Sequence, residues 1–183
     1  DPGMAFVLVQ HLAPDHKSIL TDLIRRYTRM RVFEVEDGMA VRPNCAYIIP
    51  PNRDMAFLNG TLQLLEPAAP RGHRMPIDFF FRSLAQDQHE YAICMILSGT
   101  GSSGTVGLKA IKASEGAAFV QAPATADFPQ MPESAIATGL VDEVLPVERM
   151  PEALIEYCRR LRADEAHLAQ AADETSDALH QIL

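Results

Sequence analysis

The sequence carries no excess of positive charge: 16 Lys and Arg stand against 24 Asp and Glu, a net charge of −8 at pH 7. Nucleic-acid binders usually present a basic face, so no nucleic-acid partner is expected. Arg25, Arg26, Arg29 and Arg31 form a local basic cluster, which reads as a solvated helix end or as a contact for an acidic protein. Cysteine is scarce. Cys45, Cys94 and Cys158 are odd in number and widely spaced, which excludes a disulfide framework and a metal knuckle. A reducing cytoplasm is the expected compartment. No apolar run reaches the roughly 20 residues of a membrane span, so no direct membrane insertion is expected. The opening Asp1-Pro2-Gly3 lacks the basic segment of a signal peptide. What is present, 48% hydrophobic and 22% charged residues, fits an ordinary globular chain that buries one core.

Apolar runs alternate with helical patterns along the chain. Ala5 to Gln10 and Ala117 to Gln121 are near-continuous apolar runs, the pattern of strands covered on both faces. Shorter strands are expected at Arg31 to Val35, Ala46 to Ile49 and Val141 to Leu145. Met55 to Leu58 and Thr61 to Leu65 flank Asn59-Gly60, a hairpin signal. Ser18 reads as a helix N-cap, with Ile19, Leu20, Leu23, Ile24 and Tyr27 as the apolar face behind it. Further helices are expected at Ile77 to Gln86, Gly104 to Ala113, Glu133 to Thr138 and Met150 to Leu161. This order predicts an α/β fold: a three-layer, doubly wound, mostly parallel sheet with a β-hairpin insertion. The expected domain spans residues 1–162. Residues 163–183, acidic and alanine-rich, read as a helical linker towards a following domain, with a thin stripe of Leu168, Ala171, Ala172, Leu179 and Ile182.

The richest segment is Leu97 to Gly107, where the strand Ala92 to Leu97 enters a glycine-rich turn and then a helix. Such a turn lies at the carboxyl end of a strand, where α/β proteins bind ligands. Its helix-opening amides are placed to hold developing negative charge. Gly99-x-Gly101-x-x-Gly104 has the form of a dinucleotide fingerprint, but the next strand ends in Ala122-Pro123 without the acid that would hold a ribose. Thr100-x-Ser102-x-Gly104 approximates a nucleophile elbow, yet only His167 and His180 follow it, both in the tail. His11 closes the first apolar run in Val9-Gln10-His11-Leu12-Ala13-Pro14. It stands as a general base or as a capping or core histidine. His11 with His16 is a poor metal site, Asp15 being the only acid beside them. Pro123 to Pro132 is an ordered-looking loop at the same edge, with Phe128 and Met131 read as core-covering residues.

Taken together, Val9 to Pro14, Ala46 to Pro51, Leu97 to Gly107, Met131 to Ile136 and Gly139 to Val144 resemble the CheB-type chemotaxis protein-glutamate methylesterase domain. The resemblance runs over residues 4 to 161 in family order. It implies hydrolysis of glutamate γ-methyl esters on chemoreceptor helices, and deamidation of glutamines there, by a Ser-His-Asp triad without a cofactor. In such a triad the histidine activates the serine, and the aspartate orients the imidazole and stabilises its charged form. The resemblance places the histidine at His11 and the oxyanion turn at Gly99, Thr100 and Gly101. The family's aspartate falls on Ser103, which carries no charge. Its nucleophile lies in a turn after a strand expected to precede Asp1. The expectation is therefore a methylesterase domain that is inactive or impaired as given. The alternative is a catalytically dead regulatory module that binds receptor helices or a fused neighbour. The tail resembles the helical exit found where this domain is fused to a CheR-type methyltransferase.

Overall fold

The computed structural model describes residues 3–10, 19–67 and 74–180. The chain divides into two compact units, Asp1–Leu145 and Pro146–Leu183. The first is a mixed α/β unit with parallel sheets and helices.

Its first sheet holds three parallel strands, β1 (Phe6–Leu8), β2 (Arg31–Glu34) and β4 (Cys45–Ile48), in the order β1-β4-β2. All four residues of β4 are buried, as its uninterrupted apolar run requires of a central strand. Tyr47 lies opposite both Val7 and Phe33 and stacks on the Phe33 ring at a centroid distance of 5.6 Å. A second parallel sheet, β7 (Ile93–Ile96), β8 (Ala117–Gln121) and β9 (Glu143–Leu145), has β8 in the middle and wholly buried. Among the described residues, β1 pairs only with β4 and β7 only with β8, so each has one edge without a strand neighbour.

Among the described residues, antiparallel pairing is confined to β3 (Met39–Ala40), β5 (Asp54–Leu58) and β6 (Thr61–Leu65). Asn59 and Gly60 turn β5 into β6 with φ of 49° and 73°, the two positive values a type I′ turn demands. The two-residue strand β3 has too little pattern to announce itself in sequence. The hairpin joins the main core through Met55, Phe57 and Leu62, beside Tyr47, Phe80, Ile96, Leu108, Ile111 and Val120.

Helices α2 (Pro76–Gln88) and α3 (Thr105–Ala113) approach closely because Gly107 has no side chain. A Cβ there would lie 2.5 Å from that of Phe81 and 3.0 Å from the Asp78 backbone. Helix α1 (Ile19–Tyr27) forms over the expected residues, but only part of its apolar stripe is covered. Leu20 and Ile24 pack on Val32, Ala46 and Ile48, whereas Ile19 and Tyr27 are 78% and 84% exposed. Ser18 lies outside the described residues, as does most of the Pro67 to Pro76 loop. Helix α4 (Gln130–Ile136) begins three residues before the expected Glu133, with Pro132 still inside its first turn.

The second unit is dominated by one uninterrupted helix, α5 (Met150–His180), so the expected domain helix and linker helix are continuous. The side chains of the expected linker stripe lie outside the described set. Among the described residues no helix is long and apolar enough to cross a membrane.

Candidate active site

Strand β7 delivers the chain into the turn Leu97 to Gly104, and four neighbours hold that turn. The buried end of β8 supplies the first: the Ser98 amide donates to Gln121 Oε1 at 2.8 Å. Gln121 is only 6% exposed, and its Nε2 donates onward to the Thr125 carbonyl at 3.0 Å, so the side chain bridges turn and loop. The second is the loop before α4. Gly99 donates its N–H to the Phe128 carbonyl (2.8 Å) and accepts from Met131 N–H (3.0 Å), while Phe128 N–H donates to Ser98 Oγ (3.0 Å). A Cβ on Gly99 would meet the Met131 thioether, so that flexible side chain would have to shift to admit one. From α4 itself, the third, Ser134 Oγ donates to the Gly101 carbonyl at 3.3 Å.

The fourth is Asp78 of α2, 1% exposed. Its Oδ2 accepts from Gly104 N–H at 2.9 Å and its Oδ1 from Gly107 N–H at 2.8 Å. A carboxylate at a helix N-terminus satisfies orphan amides and suits the helix dipole. Of the helix-opening amides expected to hold developing charge, those of Gly104 and Gly107 are already bound by Asp78. Gly104, at φ +89°, takes the left-handed conformation that starts α3.

What remains is narrower than the whole turn. Thr100 and Gly101 are exposed, Gly101 at φ +78°, and their amides have no acceptor among the described residues. Gly99, the third expected oxyanion residue, has its own amide committed to Phe128. Ser103 is half-buried, immediately before Gly104. His11 and His16 lie outside the described residues. Among the described residues no three His, Cys, Asp or Glu side chains converge as a metal site. Phe128 was expected to cover core and is instead exposed, acting through its backbone; Met131 does pack against the core.

Sequence reasoning missed Gln121 and Asp78, which hold the turn. One signal was available for each: a polar residue closing a wholly apolar strand, and an acid in the first turn of an apolar helix.

Cys94, three residues ahead of Leu97, is the remaining nucleophile candidate on β7. Burial, with a smaller push from the Asp142 carboxylate, raises its thiol to about 12. A thiol held protonated is not a nucleophile. Unfolding exposes a thiol that ionises near 9.0, so the unfolded chain binds fewer protons than the native one above that pH. Stability should then fall as pH rises from about 9 towards 12, by up to about 1.4 kcal/mol per pH unit. Denaturant melts across that window, compared between wild type and Cys94→Ala, will show the steeper fall in wild type.

Residues 1–154 match the family described as CheB methylesterase. The chain is 39% identical over 155 residues to an uncharacterized 104.1 kDa protein in the hypE 3′ region of Rhodobacter capsulatus, covering 84% of this chain and 16% of that one. It is 32% identical over 163 residues to protein-glutamate methylesterase/protein-glutamine glutaminase 2 of Pseudomonas aeruginosa, covering 87% of this chain and 46% of that protein. The crystal structure of the Thermotoga maritima CheB methylesterase catalytic domain superposes with a TM-score of 0.76 at 31% identity, covering 82% of each chain. The chain thus spans less than half the length of the curated relatives it matches.

Proposed function

The chain belongs to the CheB methylesterase family, and on that premise we propose that it is a cytoplasmic hydrolytic domain for glutamate γ-methyl esters on chemoreceptor helices. The same acyl chemistry covers deamidation of glutamine: a hydroxyl attacks the carbonyl carbon, a tetrahedral oxyanion forms, methanol or ammonia leaves with the hydroxyl's proton, and water then hydrolyses the acyl-enzyme ester to the carboxylate. The observation that carries this reading is the clamped turn. Gln121, Phe128, Ser134 and Asp78 fix it at the end of β7 and leave the Thr100 and Gly101 amides open. Fixed donors cost no reorganisation when charge develops, and losing one such donor typically costs about 10²–10³ in rate.

His11 is the general base in this reading, three residues beyond β1 in the sequence. The nucleophilic hydroxyl comes, in this reading, from a turn that follows a further strand; among the described residues β1 and β7 each have an edge without a strand neighbour. Ser103 stands where the family carries its aspartate. Its hydroxyl can accept the imidazole N–H but cannot stabilise imidazolium, so hydrolysis is slow. The uncharged Ser103 also favours a second reading, a module that binds methylated helices without turnover. Helix α5 leads towards a fused signalling or methyltransferase domain, a context that suits the far longer Rhodobacter relative.

Methanol release from a methyl-esterified receptor cytoplasmic fragment tests the two readings. Slow release by the full-length protein, abolished in His11→Gln, is the expected result. Retention of the methylated fragment with no release above the buffer rate refutes hydrolysis and leaves the binding module.

A further inference from the structure

The turn does not account for a second feature, a cleft of about 330 Å³ at the amino ends of β2 and β4. Arg29, Arg31 and Arg42 line it at exposed positions, and the half-buried Met30 and buried Cys45 supply its apolar floor. Among the described residues no acidic side chain lines it. Among the described residues none of the three arginines has a carboxylate partner, although the chain carries a net charge of −8. Three unmatched guanidinium groups around an apolar floor, on an otherwise acidic surface, concentrate opposite charge at one place.

The rim is prearranged. Arg42 N–H donates to the hydroxyl of the buried Tyr47 at 2.8 Å, and that hydroxyl donates to the Ala40 carbonyl at 3.3 Å. Asn44, at φ 60°, donates its N–H to the Met4 carbonyl at 2.7 Å, and its Oδ1 accepts from Gly3 N–H. These bonds fix the loop that carries Arg42. They also use up its backbone donors, so no cradle of amides remains of the kind that encloses a phosphate. Side-chain guanidinium groups and an apolar floor are what the site offers.

We propose that this cleft binds an acidic peptide segment of a partner protein, with one apolar side chain on the floor and flanking carboxylates paired to Arg29, Arg31 and Arg42. Guanidinium pairs carboxylate through two parallel hydrogen bonds, which orients a peptide as well as attracting it. The cleft is at the small end of the range for ligand pockets, about 300–1,000 Å³, which suits one anchor residue. None of its lining residues belongs to the clamped turn, so its occupancy is separable from hydrolysis.

The test is fluorescence anisotropy of a labelled Glu-Glu-Leu-Glu-Glu peptide against the full chain. Arg31→Glu and Arg42→Glu, both at exposed positions, should each weaken binding by about tenfold or more. Arg53→Glu, whose native partner is Glu66, should leave binding unchanged. Weakening with rising salt is expected as well. No binding, or equal binding by the two cleft variants, overturns the proposal. So does equal affinity for a peptide with Ser in place of Leu, or equally effective competition by inorganic phosphate, either of which means a small-anion site. Higher affinity on neutralising Asp173, Glu174 and Asp177 would make the chain's own tail the occupant and overturn an external partner.

Discussion

Asp78→Ala should lower the stability of the first unit by about 3–5 kcal/mol, read as a fall in the denaturant midpoint at unchanged slope. The side chain is 1% exposed and accepts from two backbone amides, Gly104 N–H and Gly107 N–H. Each amide left without an acceptor away from water costs about 1–3 kcal/mol. Loss of a negative charge at the start of α3 adds up to about 2 kcal/mol in a buried geometry. Relief of the carboxylate's own burial offsets part of this, which keeps the total below the plain sum. Asp78→Asn tests the mechanism separately. Its amide retains one acceptor and turns an N–H₂ towards the other donor, so it should recover less than half of the loss. A cost under 1 kcal/mol for the alanine variant would mean that water enters and replaces the carboxylate, and that Asp78 does not hold the turn.

The site residues and their supports differ in how far they could be read. Strands β4 and β8 were legible because wholly buried strands need continuous apolar runs, and Ala46 to Ile49 and Ala117 to Gln121 supply them. Asn59-Gly60 was legible because few dipeptides tolerate two positive φ values. The turn from Leu97 to Gly107 announced itself by its glycines. Its clamps did not. Asp78 meets Gly104 and Gly107 from 26 and 29 residues away, and Gln121 meets Ser98 from 23 away. Such links depend on how helices and strands stack, which no local pattern encodes. The apolar stripe of α1 was legible as periodicity, but periodicity cannot say whether a covering element sits over Ile19 and Tyr27. The clamps also narrow the set of amides read from sequence: those of Gly99, Gly104 and Gly107 already have acceptors, whereas those of Thr100 and Gly101 have none among the described residues.

Ser103→Asp carries the largest expected effect on activity: a rise in methyl-ester hydrolysis by about 10⁴ in kcat for the full-length protein, given the proposed triad. The magnitude is what an orienting carboxylate contributes when the rest of a triad is intact. A serine hydroxyl leaves the imidazole free to adopt the wrong tautomer and offers no charge against the imidazolium that forms as the nucleophile loses its proton. The half-buried position next to Gly104 suits a carboxylate, because the start of α3 favours negative charge. It also adds a second acid near Asp78, so a modest loss of stability should accompany the gain, and a melt of each variant separates the two effects. The gain must disappear in Ser103→Asp combined with His11→Gln, since the carboxylate works only through the imidazole. Ser103→Ala provides the opposite check: under hydrolysis it lowers the residual rate, whereas under the binding module it changes nothing. A folded Ser103→Asp protein that retains methylated helices yet releases no additional methanol would remove residue 103 from the triad and leave recognition as the work of this domain.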